Sequence, residues 1–334
     1  MEYNLTPAKH QKPRNSALEI LRLFAMGIII FHHFVVHGIF PAVNIAQHHS
    51  WGLFISLLVG GYLGNSLFIL MTGYFSVRKK FSAKRLVMLL MTMVFYSVTI
   101  SMIWKIQGCL PRGEMKRALF PFWYGYNWFV ACYLLFMPLT QFLNKLLLQL
   151  DKVQYLGLVA MEYFLYCVMP TFHGESFSQA PMLQFVMMYC MGGYLQLHKF
   201  KQEKFQKTRT WILIAFALVV VTDIVLIWQW LKGGDIWRYV NLLSTWTAVS
   251  MFMAAVSFKP FTSVNINKLA GSVLGVYLIH DNPLVRPFLW RELLPNVEFM
   301  DDKFFVLFMI VKVLCVYIVC LGIDLTRRKW IEPI

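Results

Sequence analysis

The chain has 334 residues, 58% of them hydrophobic and only 14% charged, with a formal net charge of +15 and a mean hydropathy of +0.58. Soluble globular proteins carry about 25% charged residues, so this composition excludes an ordinary soluble domain. The positive charge does not point to nucleic acid, because the basic residues stand in short runs beside apolar segments, the pattern that orients membrane proteins.

Apolar stretches of about twenty residues recur from end to end, each long enough to cross a ~30 Å hydrocarbon core. Lipid cannot hydrogen-bond exposed backbone, so such stretches must be helices or barrel strands. Their continuity excludes the ~10-residue alternation of a barrel strand. The expected fold is therefore all-α, a polytopic membrane bundle with spans at 17–39, 51–77, 86–106, 126–148, 153–170, 181–198, 211–231, 238–258, 267–291 and 304–325. Residues 1–16 and 326–334 read as tails around one membrane domain, 17–325. Twenty Lys and Arg fall in connections on the N-terminal side of the bundle and nine on the other. That asymmetry predicts both termini in the cytoplasm and a multi-pass protein of the cytoplasmic membrane. One outer connection, Lys105 to Arg117, is unusually basic for its side.

Five of the six cysteines, Cys132, Cys167, Cys190, Cys315 and Cys320, sit in apolar segments, which is neither a disulfide framework nor a CxxC metal signature. The first apolar run contains Glu19 and Arg22 and ends at His37-Gly38 without a small-residue cleavage site, so it does not read as a signal peptide.

In chain order, the first span carries the most chemistry. A charge near mid-bilayer costs at least ~2.5–3.5 kcal/mol, so it should face protein or a water-filled cavity. Glu19 and Arg22 are three apart, where helical side chains meet, and an ion pair near the interface is the plain reading. Arg22 and His33 are eleven residues apart, which puts them ~20° from alignment on one helix face with roughly 16 Å of rise between them. His37 follows His33 at i,i+4, and His32 points some way around the helix. Imidazole titrates near neutrality and serves as general base or nucleophile. Arg22 suits the phosphates or pantetheine-linked anion of an acyl-coenzyme A.

The second span contains Gly60 and Gly64 at GxxxG spacing, with Gly61 and Gly73, and predicts close helix packing. The basic run after it, Arg78 to Lys80 with Lys84 and Arg85, is either a topogenic signal or part of a phosphate site. Glu162, Asp223 and Lys312 should lie deep in later spans. A structural ion pair involving Lys312 is the first expectation for them, and a proton or ion relay of a transporter is the rival. A third reading is a metal site at His33 and His37 with His48 and His49.

The residues Arg14-Asn15-Ser16-Ala17-Leu18-Glu19-Ile20-Leu21-Arg22, leading into His32-His33, resemble the opening of the acyltransferase-3 family of membrane acyltransferases. Three further stretches are similar to that family: Leu67 to Tyr74, with Thr72-Gly73-Tyr74 in place of Ser-Gly-Tyr; Asn127-Trp128-Phe129 with Tyr133 and Pro138; and Val276-Tyr277-Leu278-Ile279-His280, followed by Asp281, Asn282 and Arg286. The resemblance implies a ten-helix protein that moves an acyl group, commonly acetyl from acetyl-CoA, onto a hydroxyl of an extracytoplasmic glycan or lipid-linked saccharide. It implies no permanently bound cofactor. By spacing from Arg22 it assigns the family's essential histidine to His33. It puts Arg22 and Glu19 with His33 in the catalytic set, and Arg22, Lys80, Lys84 and Arg85 at the coenzyme A. Thr72, Tyr74, Trp128, Tyr277 and His280 fall to the acceptor, and Arg112, Lys116 and Arg117 suit an anionic glycan. The family's Arg-x-x-Arg at the start of the third helix is absent here, with Lys80, Lys84 and Arg85 as substitutes.

Overall fold

The computed structural model describes residues 14–42, 44–173, 181–198 and 208–331, and holds no strand among them. Residues 1–13 of the expected tail and most of the basic connection around Lys199 to Lys207 lie outside the described residues. The long helices are α1 (Ser16–Gly38), α2 (Trp51–Ser76), α3 (Ala83–Ile106), then after the short α4 (Glu114–Leu119), α5 (Trp128–Gln149) and α6 (Lys152–Phe172). They continue with α7 (Pro181–Leu197), α8 (Thr208–Leu231), α9 (Trp237–Ser257), the short pair α10 (Val264–Ala270) and α11 (Val273–His280), and α12 (Phe305–Ile331).

Local chemistry starts these helices where the sequence changes character. The Asn15 side chain accepts from the Ala17 amide to cap α1, and Ser82 accepts from Arg85 N to cap α3. Asp151 and Gln154 form a capping box on α6. Among the described residues, eight helices are long and apolar enough to cross a membrane. Two of the ten expected spans differ. The sixth is the 17-residue α7, just shorter than the others. The ninth is not one helix: it breaks between α10 and α11 at Gly271-Ser272, and again at Asp281 to Leu284, before a π-helical turn at Phe288–Leu293. Pro283 and Pro287 have no amide hydrogen to continue a helix through this stretch.

Unravelled backbone at membrane depth persists only where protein supplies its hydrogen bonds. Here Asn127 Nδ2 and an Arg286 guanidinium nitrogen both donate to the Asp281 carbonyl, at 3.1 and 3.0 Å, and the Asn282 side chain accepts from Leu284 N at 2.9 Å.

The centre of the bundle is α2, which packs on α1, α7 and α9. Its glycines act as the GxxxG spacing predicts. A Cβ on Gly60 would run into the Ile28 carbonyl of α1, and one on Gly64 would lie 2.9 Å from the Ala25 carbonyl. Gly73 faces the Tyr189 carbonyl of α7 equally closely, while Gly52 meets nothing within 4 Å. Gly73→Ala should therefore cost about 1–3 kcal/mol by forcing the backbones apart. A lowered melting temperature of the detergent-solubilised protein, set against an unchanged Gly52→Ala control, checks this.

The expected ion pair of Lys312 does not form. Lys312 Nζ donates to the Pro295 carbonyl at 2.6 Å and lies 4.8 Å from the Phe299 ring centroid. Glu162 lies beside Cys190, and Asp223 beside Ser56. Three separate helices carry these groups, and among the described residues no ion pair joins them. A backbone carbonyl and an aromatic face satisfy the ammonium instead. The same separation leaves a charge relay through them without links.

Candidate active site

The break after α11 brings its residues against the upper half of α1. His33 is buried, and His280 and Asp281 are almost entirely so. His280 Nδ1 lies 2.6 Å from the Val276 carbonyl, one turn back on its own helix. A carbonyl only accepts, so this nitrogen carries the proton and the neutral His280 presents Nε2 as a lone pair. His33 Nδ1 sits 2.9 Å from that Nε2. The Nδ1 of His33 must then be the donor, which leaves its Nε2 unprotonated. Two hydrogen bonds thus fix one tautomer at His33 through a chain that ends on a backbone carbonyl.

Asp281 is the anion of the site. Its Oδ1 lies 3.6 Å from His33 Nδ1, 3.5 Å from His37 Nε2 and 3.0 Å from Arg286 Nε. The sequence offered Asp281 only as a neighbour of His280; the turn at the end of α11 makes it the point where α1 and the broken segment meet. His33, His37 and Asp281 have potential ligand atoms within 4.8 Å of one another. The Arg286 guanidinium stands on Asp281 Oδ1 and His280 holds His33 Nδ1, so the cluster reads as a hydrogen-bonded neutral histidine beside a carboxylate–guanidinium pair. Of the other two candidates, His48 pairs with Asp301 at 3.0 Å and His49 is exposed.

Below His33, toward the start of α1, Arg22 pairs with Glu19 at 2.7 Å, Glu19 being buried and Arg22 half-buried. Arg22 and Arg85 both lie within electrostatic reach of the Tyr133 hydroxyl on α5. Tyr133 Oη is 3.5 Å from Thr72 Oγ1, which donates to the Phe68 carbonyl. From Tyr133 a row of rings runs upward: Tyr133 on Phe129 at 6.4 Å, Phe129 on Tyr277 at 6.0 Å, and Tyr277 on His33 at 6.5 Å. Contacts thus join Thr72, Tyr133, Phe129, Tyr277, His33 and His280 in one row, with Arg22 and Arg85 toward its Tyr133 end. Lys80 and Lys84 are exposed at the end of α2 and the start of α3. Tyr74 is not on the path: it packs on Phe75 and Phe252. Arg117 pairs with Glu114 at 2.7 Å, and Arg112 and Lys116 are exposed.

A cavity of about 340 Å³ opens beside His33, between α1, α2, α5, α6, α7, α9 and α11. Its walls include His32, His33, Trp128 and Tyr277, together with Tyr62, Asn65, Tyr166, Gln184 and Trp237, which sequence reading passed over. Their signal was available, since Asn65 and Gln184 are amides inside apolar helices. Gly61 makes room for one wall: a Cβ there would lie 2.7 Å from His32 Nε2. A second cavity of about 440 Å³, between α6, α7, α8 and α9, has almost wholly apolar walls among the described residues, with Ser250 and Tyr194 as its hydroxyls.

If the tautomer chain matters, His280→Leu should lower turnover at least ~10-fold. His280→Gln, whose amide oxygen still accepts from His33 Nδ1, should fall less. Comparing initial rates at equal protein level separates the two.

A many-helix bundle with a buried His33–His280 pair, His33 lining a polar cavity, has the groups that a membrane enzyme needs. Residues 15–326 match the acyltransferase-3 family model, an acyltransferase domain. The chain belongs to the acyltransferase-3 family and is a membrane acyltransferase. No curated protein and no solved structure matches it.

Proposed function

We propose that this acyltransferase moves an acetyl or similar short acyl group from a cytoplasmic acyl-CoA to a hydroxyl of a cell-envelope glycan or lipid-linked saccharide on the other face of the cytoplasmic membrane. The observation that carries the reading is the fixed tautomer of His33, with Nδ1 engaged by His280 and a basic Nε2 left for the cavity.

The reaction balances on these residues. His33 Nε2 takes the proton of the acceptor hydroxyl as its oxygen attacks the thioester carbonyl. A C–O bond forms, the C–S bond breaks, and the coenzyme A thiolate leaves and recovers the proton from the imidazolium. Asp281 stabilises that imidazolium electrostatically while Arg286 balances the carboxylate between turnovers. The alternative order, with His33 carrying the acyl group before the acceptor attacks, uses the same atoms.

The donor enters from the end of α1 that bears Arg22. Arg22, oriented by Glu19, and Arg85 attract the phosphates, with Lys80 and Lys84 at the rim. The pantetheine arm then follows the Tyr133–Phe129–Tyr277 row, with Thr72 alongside, toward His33. The ~16 Å rise between Arg22 and His33 separates the anion-binding end from the reacting carbonyl. The acceptor enters past Trp128 with Tyr277 and His33 on the inner wall and His280 behind His33, and Tyr74 supports the bundle behind the donor path.

The test is made in inside-out membrane vesicles given labelled acetyl-CoA. Label should pass to the enclosed saccharide fraction in a manner dependent on this protein. Transfer that persists unchanged without the protein, or a label that stays on coenzyme A, sinks the reading.

A further inference from the structure

The cavity beside His33 is selective in its charge. Twelve of the described residues wall it, and none of these is Lys, Arg, Asp or Glu. Its polar groups are phenols, amides, imidazoles and indoles: Tyr62, Asn65, Trp128, Tyr166, Gln184 and Trp237 among them. Amide and phenol groups both donate and accept, as sugar hydroxyls do. One of them is already oriented, since Gln184 Nε2 donates to Ser66 Oγ at 2.9 Å.

The mouth is aromatic. Trp128 and Trp237 are 43% and 41% exposed although both line the cavity. Each stands at the first turn of its helix, α5 and α9, at the end of the bundle where α1 finishes. Indole offers a flat apolar face to the C–H face of a pyranose ring and keeps its N–H for a polar neighbour. The volume, about 340 Å³, falls at the small end of the ~300–1,000 Å³ typical of ligand sites. It suits a single saccharide unit better than a branched one.

An anionic sugar would fare poorly there. Taking a carboxylate or phosphate out of water costs several kcal/mol unless a cation offsets it. Among the described residues, the Arg286 guanidinium beside His33 and His280 is paired with Asp281 at 3.0 Å. The basic residues Arg112, Lys116 and Arg117 belong to the α3–α4 connection and α4, and none reaches the cavity lining.

We infer that the saccharide unit presented to His33 is uncharged, a neutral hexosyl or N-acetylhexosaminyl residue rather than a uronate or a phosphorylated sugar. Any anionic character of the glycan stays on units outside the cavity. The inference rests on the acyl-transfer reading above and narrows its acceptor.

The experiment uses cells carrying the wild-type gene or His33→Ala at equal protein level, fed [¹⁴C]acetate. The envelope saccharide is depolymerised enzymatically near neutral pH, which spares esters, and the acetylated units are located by tandem mass spectrometry. The expected result is a His33-dependent ester on a neutral unit, at least tenfold above any on an anionic unit. A His33-dependent ester chiefly on a uronate or phosphorylated unit overturns the inference while leaving acyl transfer by His33 intact. Absence of any His33-dependent ester, with label incorporation otherwise normal, overturns the acyl-transfer reading and the inference with it.

Discussion

Replacing His33 with alanine should lower acyl transfer by about 10²–10⁴-fold, the range that a positioned general base contributes, without a comparable loss of folded protein. His33 makes one side-chain hydrogen bond, to His280, and its removal leaves a small space beside an existing cavity. Membrane yield should therefore stay near wild type while the ester content of the envelope saccharide falls to background. Equal ester content at equal expression would remove His33 from the mechanism. The same protein distinguishes base from carrier. Rapid quenching of wild type with labelled acetyl-CoA, in the absence of acceptor, leaves label on the protein if His33 carries the acyl group and none if it acts as base alone.

Asp281→Asn should be the more destructive change to the molecule as a whole. Asp281 is 1% exposed and holds Arg286 at 3.0 Å, with His33 and His37 at 3.6 and 3.5 Å. Removing one partner of a buried ion pair costs about 3–5 kcal/mol. The cost is lower here, because Arg286 keeps 28% of its side chain exposed. Turnover should fall further than stability explains, since carboxylates that orient and balance a catalytic imidazole contribute up to ~10⁴-fold. The double variant Asp281→Asn/Arg286→Gln separates the two effects. It should regain melting temperature and membrane yield but not activity. Recovery of activity along with stability would make Asp281 a purely structural residue.

Much of this architecture was legible before any coordinates, for reasons of cost. Twenty apolar residues in a row have few stable solutions, so the helices fall where hydropathy puts them, with ends near their capping residues Asn15, Ser82 and Asp151. The face shared by Arg22 and His33 follows from helical geometry alone. The ninth segment was not legible as a break. Its composition is as apolar as the rest, and its continuity is lost at Gly271-Ser272 and at Asp281 to Leu284, where the distant Asn127 donates to the freed Asp281 carbonyl. Asp281 stood out only as a neighbour of His280 for the same reason, because its partners on α1 are brought to it by that turn.

Lys312 shows the opposite error. Counting charges in apolar spans invited a search for an opposite charge, whereas the fold met the need with the Pro295 carbonyl and the Phe299 ring. Uncharged polar residues drew too little weight. Asn65, Gln184, Tyr62 and Tyr166 are unremarkable one by one, and only the packing of α2, α6 and α7 collects them on one wall.

The glycines of α2 have a consequence for how this enzyme can vary. Gly60, Gly61 and Gly64 form a notch in which α1 rests against bare backbone, with the His32 ring over Gly61. That contact prevents α1 from rotating or sliding by even part of a turn, and so fixes the depth and heading of His33. The aim of the reactive imidazole thus depends on atoms missing from a neighbouring helix. A lineage could exchange the cavity walls, and with them the sugar, far more freely than it could add one methyl group to that notch.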